Sequence, residues 1–119
     1  MVTLEQVEEF LRNFKQKKKT WSIVYLDDRS KNTQTLADLE IRPIDRDNII
    51  DKLKVEDYCQ GPLSERFYGG GYMWVFGKEV KKNEVYIKIT IGMPSSSVIC
   101  ISFHISEHSL NYPFKKTTI

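Results

Sequence analysis

Five side chains in the second half of the chain are of the types that phosphodiester chemistry uses: Lys78, Tyr86, Lys88, Ser102 and His104. Ammonium groups hold a phosphate and offset the charge that builds on it. A phenol orients an oxygen, and an imidazole moves a proton near neutral pH. The five act together only if the fold sets them on one surface. The run Glu84 to Ile91 is where that surface can be read. Val85, Ile87, Ile89 and Ile91 are branched aliphatics, and Glu84, Tyr86, Lys88 and Thr90 alternate with them. A period of two buries one face of a strand and presents the other.

Matching apolar faces across hairpins extends that surface. Ile99, Ile101 and Phe103 form an apolar set with Cys100, Ser102 and His104 between them. Pairing Ile89 with Ile101 and Ile87 with Phe103 joins the two apolar sets. Lys88 then lies opposite Ser102, and Tyr86 opposite His104. In the preceding hairpin, a turn at Lys81-Lys82-Asn83 pairs Val75 with Ile89. It sets Lys78 beside Tyr86 and Phe76 beside Lys88. The five residues are thus expected on one non-core face. The plainer reading is that a wet strand face carries Tyr, Lys and Thr because water touches it. Tyr72 and Trp74 read either as core or as platforms for bases. Glu107 and His108 read either as a second acid–base pair or as ordinary surface. The acids do not cluster and the two histidines lack supporting ligands, so neither a metal nor a cofactor is expected.

The elements that must position this face come before it. Thr3 and Gln6 have capping-box spacing, and Leu4, Val7, Leu11 and Phe14, widened by Phe10, recur at helical spacing, which predicts a helix over 4–16. Lys15, Lys17, Lys18 and Lys19 suit the negative end of its dipole. Trp21 to Leu26 is a short β-like run. A helix capped by Asn32 or Thr33 follows, anchored by Leu36 and Leu39. Pro43 opens a third helix, lined by Ile44, Ile49, Ile50 and Leu53. Residues 54–71 read as irregular, with a turn at Gly61-Pro62 and a hinge at Gly69-Gly70-Gly71. No P-loop ending and no helix-opening GxGxxG occurs there. Three strands are expected at 72–78, 84–91 and 98–104, joined as antiparallel hairpins. A tail from Asn111 is expected to be held by Tyr112 and Phe114.

The chain has 119 residues, which predicts a single domain over 1–119. No apolar run reaches the ~18–20 residues of a membrane span. The opening MVTLEQVEEF carries acids early and lacks the apolar region of a signal peptide, so a cytoplasmic location and no membrane partner are expected. Cys59 and Cys100 have no metal-ligand spacing, and a disulfide is not expected in that compartment. Residues 1–71 carry 12 Lys/Arg against 13 Asp/Glu, and residues 72–119 carry 6 against 3. The local basic excess over the β-rich half admits a polyanionic partner.

The run Asn48 to Tyr58, then Trp74, then Glu84-Val85-Tyr86-Ile87-Lys88-Ile89, then Ile99-Cys100-Ile101-Ser102-Phe103-His104 resembles the MqsR family of toxin–antitoxin toxins. The resemblance spans residues 32–108 and is strongest in the VYIKI and ISFH strands. It implies a RelE-like α+β fold, with N-terminal helices packed on a small antiparallel sheet. It also implies a type II toxin, an mRNA interferase that cleaves RNA without metal by 2′-OH attack on the adjacent phosphate. RNA and a cognate antitoxin protein are the implied partners. Tyr86 falls on the family's catalytic tyrosine, and His104 falls where the family has a lysine. Cys59 stands where the family has a lysine, and Val75 where it has a glutamine. The expected catalytic set is Tyr86, His104, Lys88 and Lys78. Arg66, Trp74, Ser102 and Tyr58 are the expected substrate contacts. The alternative on the same scaffold is a non-catalytic RNA- or protein-binding module.

Overall fold

The computed structural model describes residues 1–28, 30–64, 67 and 71–115. Arg66 and the Gly69-Gly70 part of the expected hinge lie outside the described residues. Helix α1, Leu4–Trp21, opens with the anticipated box: the Thr3 amide donates to Gln6 Oε1 at 2.8 Å, and the Gln6 amide donates to Thr3 Oγ1 at 3.2 Å. Val7, Phe10, Leu11 and Phe14 are buried, while Leu4 stays exposed. The helix continues to Trp21 because its lysine run has partners. Lys15 donates to the Leu53 carbonyl at 2.5 Å, Lys17 donates to those of Ile91 and Met93, and Lys18 pairs with Asp51 at 3.0 Å. These lysines clamp the helix to the rest of the chain, so the run is more than a solvated end.

Strand β1, Ile23–Tyr25, is shorter than the β-like run, since Trp21 belongs to the helix. Helix α2 is Ser30–Leu39 and helix α3 is Pro43–Asp51, with Pro43 in its first turn as expected. Ile44 is exposed, and Arg46 occupies a buried position instead. Its guanidinium binds both Asp27 oxygens, at 2.8 and 3.1 Å, and lies 3.5 Å above the Tyr25 ring. Such a pairing offsets the cost of burying the charge. Strands β2 (Tyr58–Ser64), β3 (Tyr72–Val80), β4 (Asn83–Thr90) and β5 (Val98–Ile105) complete an α+β domain.

The sheet has five strands in the order β1-β5-β4-β3-β2. The three expected strands form its centre. It is mixed, because β1 runs parallel to β5, so the expectation of a purely antiparallel sheet is corrected. The segment read as irregular supplies β2, whose register against β3 shifts twice. Those shifts and the Gly-Pro pair mask its alternation in the sequence. On the core face, the α1 side chains, Leu39 of α2 and Ile50 of α3 pack against Phe76, Val85, Ile87, Ile89, Val98, Cys100 and Phe103.

Two registers differ from the sequence reading. The β3–β4 turn uses two residues, Lys81 and Lys82, with φ of 49° and 69°. Two positive φ values in a two-residue loop match the twist of the flanking strands. Val80 therefore pairs with Asn83, and the whole hairpin slips by one position. Trp74 pairs with Ile89, Phe76 with Ile87, Gly77 with Tyr86 and Lys78 with Val85. A slip of one residue exchanges faces. In β5, Lys88↔Ser102 and Ile89↔Cys100 are both pairs, so Ile101 is an extra residue, a bulge. Val98 and Cys100 hold the core face, and Ile99 turns away from it.

Candidate functional site

The non-core face keeps four of the five residues together. Tyr86, Lys88, Ser102 and His104 floor one cleft of about 570 Å³. Tyr86 lies directly across from His104 and Lys88 across from Ser102, as face matching anticipated. The rings of Tyr86 and His104 stack, with centroids 5.1 Å apart and planes 14° apart. The Lys88 ammonium lies 5.9 Å from the centre of the Tyr86 ring. His104 Nδ1 is 3.0 Å from the Ile105 carbonyl oxygen. A carbonyl only accepts, so Nδ1 carries a hydrogen and Nε2 is the nitrogen left for proton exchange. Burial raises the Tyr86 phenol above its ordinary pKa, with Cys59 adding to the effect. Tyr86 therefore stays protonated at neutral pH and acts as a hydrogen-bond donor.

The cleft walls come from two segments that the sequence did not connect. One is the first turn of α2, with Ser30, Lys31 and Asn32. The other is the chain after β5, with Ser106, Glu107, His108 and Leu110. Lys31 bridges to Glu107 across the rim. That hydrogen bond holds the Glu107 carboxyl below the ordinary range, with His104 and His108 lowering it further. Glu107 and His108 are thus part of the cleft and not unrelated surface.

The segment carrying them is tied to the sheet. The Ser106 amide donates to the Glu84 carbonyl at 2.8 Å, while the Leu110 amide and the Tyr112 hydroxyl donate to the Glu84 carboxylate at 3.0 and 2.7 Å. Gly77 makes room for this crossing, since a Cβ there would meet the Tyr112 hydroxyl oxygen at 2.3 Å. Phe114 then packs on Tyr58, so both tail aromatics anchor as expected. The signal that could have joined these parts was Glu84, a polar residue on the presented face with no role assigned.

Three expected site residues lie elsewhere. Lys78 pairs with Val85, so it leaves the Tyr86 face and binds Asp57 at 3.0 Å. The one-residue slip at the turn is the reason. Trp74 stacks on Phe10 at 4.8 Å, on the core side. Tyr58 is buried against Trp74, Phe76 and Phe114, and its hydroxyl donates to the Gly61 carbonyl. Trp74 and Tyr58 are core aromatics, away from the cleft. Among the described residues, no group of three or more His, Cys, Asp or Glu is arranged to hold a metal ion, and no helix is long and apolar enough to cross a membrane. No family model, curated protein or solved structure matches the chain.

Proposed function

We propose that the cleft binds RNA and cleaves it by attack of a ribose 2′-OH on the adjacent phosphate, as in the MqsR-type, RelE-like ribonucleases that the strand motifs resemble. The observation that carries the reading is the stacked Tyr86–His104 pair beside Lys88 on the floor of one cleft. Lys88 holds the phosphate and stabilises its extra negative charge in the pentacovalent state. Tyr86 donates a hydrogen bond to a phosphate oxygen. His104 accepts the 2′-OH proton at Nε2. The 2′-oxygen–phosphorus bond forms, the phosphorus–5′-oxygen bond breaks, and His108 returns a proton to the departing 5′-oxygen. The products are a 2′,3′-cyclic phosphate and a 5′-hydroxyl end. Every step is carried by side chains of the cleft, and the place of this chemistry is a toxin whose antitoxin partner keeps RNA out of the cleft.

The test is a single-ribonucleotide substrate. An otherwise deoxy oligonucleotide with one ribose should be cut at that ribose in EDTA, leaving a cyclic phosphate, and the all-deoxy version should stay intact. Cleavage of the all-deoxy strand would remove the 2′-OH from the mechanism. Retention of RNA without cleavage would favour the binding module instead.

A further inference from the structure

β5 is only half covered by its parallel neighbour. β1 pairs with Val98, Ile99 and Cys100, and the last backbone bond from that side is the Leu26 amide to the Cys100 carbonyl, at 3.2 Å. Among the described residues, no strand lies beside that edge of β5 from Ile101 onward. Side chains of α2 take that place. Asn32 Nδ2 donates to the Leu26 carbonyl at 2.9 Å and to the Ile101 carbonyl at 3.1 Å, and Asn32 Oδ1 accepts from the Phe103 amide at 3.1 Å. One turn on, Thr35 Oγ1 accepts from the Ile105 amide at 3.3 Å. Both residues are buried, Asn32 with 2 % of its surface exposed.

The partners of Asn32 matter more than their number. A residue in a parallel strand would bond the carbonyl before and the amide after the residue it faces. The Asn32 side-chain amide does this around Ser102, using Ile101 and Phe103. It also reaches Leu26, the residue that follows β1, so it continues that strand by one peptide-like group. Ile101 is the bulged residue. Cys100 faces the core and Ser102 faces the cleft, although residues two apart in a regular strand share a face. The bulge reverses the alternation between them, and Asn32 holds the peptides on both sides of Ser102, where the bulge ends.

We infer that Asn32 is the positioning residue of the cleft: its side-chain amide replaces a missing strand and fixes the bulge that turns Ser102 and His104 toward the ligand. The catalytic consequence rests on the function proposed above, while the positioning is measurable without RNA. Asn32 lines the cleft itself, yet its amide is committed to backbone on both sides, so its part is to hold other groups in place. An aspartate at this position keeps the acceptor for Phe103 and loses both donations. Alanine loses all three bonds.

The experiment is NMR on labelled wild-type protein, Asn32→Ala, Asn32→Asp and a core control, Val7→Ala, from the far face of the sheet. Imidazole nitrogen shifts of His104, amide exchange at Phe103 and cleavage of the single-ribonucleotide strand are read on each. In wild type, the Phe103 amide should exchange as slowly as that of Ile87, and His104 should show the Nδ1–H tautomer. Asn32→Ala should speed Phe103 exchange relative to Ile87 by at least ~10-fold. It should also mix the His104 tautomers and cut cleavage by about 10²-fold, the scale of a misplaced reacting group. Asn32→Asp should retain more Phe103 protection than Asn32→Ala, and Val7→Ala should lower the melting temperature with the His104 shifts unchanged. A folded Asn32→Ala protein with wild-type His104 shifts would overturn the inference. If that variant does not fold, rapid Phe103 exchange in wild type overturns it alone. Intact RNA with wild-type protein would sink the ribonuclease reading and leave the positioning measurements to stand or fall separately.

Discussion

His104 and Lys78 looked equivalent as neighbours of Tyr86, and the structure separates them by one strand position. His104 stacks on Tyr86, whereas Lys78 is paired with Asp57 on the other face. His104→Ala and Tyr86→Phe should each lower RNA cleavage at least ~10²-fold with the fold retained, the scale of a lost acid–base or orienting group. Lys78→Ala should leave the rate within a few-fold of wild type, as measured by initial rates at saturating RNA. An equal loss in Lys78→Ala would place Lys78 in the cleft after all. The thiols make a separate prediction. Burial, with Glu84 and Asp57 adding, pushes the Cys59 thiol up to about 12, and burial pushes Cys100 to about 12 as well. Thiolate is the reactive form. Iodoacetamide at pH 8 should therefore modify both slowly in folded protein and quickly in denaturant, as followed by mass spectrometry. Fast labelling of Cys59 in the native state would show that it lies in a more open, more polar setting.

One turn and one bulge decide which residues face the cleft, and these were the features least legible in the chain. The alternation in Glu84–Ile91 was readable because every odd position is aliphatic, and Val85, Ile87 and Ile89 are fully buried. The place of the Lys81-Lys82 turn was readable but its two-residue length was not, since the usual two-residue hairpin turn advertises itself with Asn or Gly at positive φ. Replacing the pair by Asn-Gly should raise stability by about 1 kcal/mol, because glycine reaches positive φ without strain. A fall in the urea midpoint would contradict that turn geometry. The bulge was hidden for another reason. Ile99 and Ile101 are as apolar as Val98 and Cys100, so hydrophobicity allowed either phase, and the bonds that hold the observed one come from residues distant in sequence, Asn32 among them. Likewise β2 was missed because its two register shifts erase its period. The tail crossing depends on a glycine: Gly77→Ala should cost about 1–3 kcal/mol through overpacking against Tyr112 and Leu110. Adding Tyr112→Ala should recover part of that loss, since the two sites touch. Strict additivity in a thermal-melt cycle would mean the tail does not pack there.

At the scale of the whole molecule, the helices and tail do for the sheet what further strands would do, and the cleft is the space they leave open between them. The fold class, the core helix α1 and the Tyr86–Lys88–Ser102–His104 face were legible from periodicity, whereas the walls were not, because Lys31 and Glu107 meet only in three dimensions. The molecule's response to alkali follows from its phenols. Burial first raises Tyr25, Tyr58, Tyr86 and Tyr112, with hydrogen bonds to Asp47 and Glu84 adding for Tyr25 and Tyr112. The folded state then keeps protons that the unfolded chain has released. Their contribution to stability is complete below the ordinary phenol value of ~10 and is lost as pH rises through the folded values. Melting temperature should accordingly drop between pH 10 and 12, with tyrosinate absorbance rising alongside unfolding. The proposed cutting of RNA by the Tyr86–His104 cleft is tested most directly by a paired incubation. Wild-type protein and a folded His104→Ala variant are each mixed with a long RNA in EDTA, and the fragment ends are mapped. Cyclic-phosphate ends are expected from wild type, and at least ~10²-fold fewer from the variant. Intact RNA with wild type, or equal cutting by both, would contradict it.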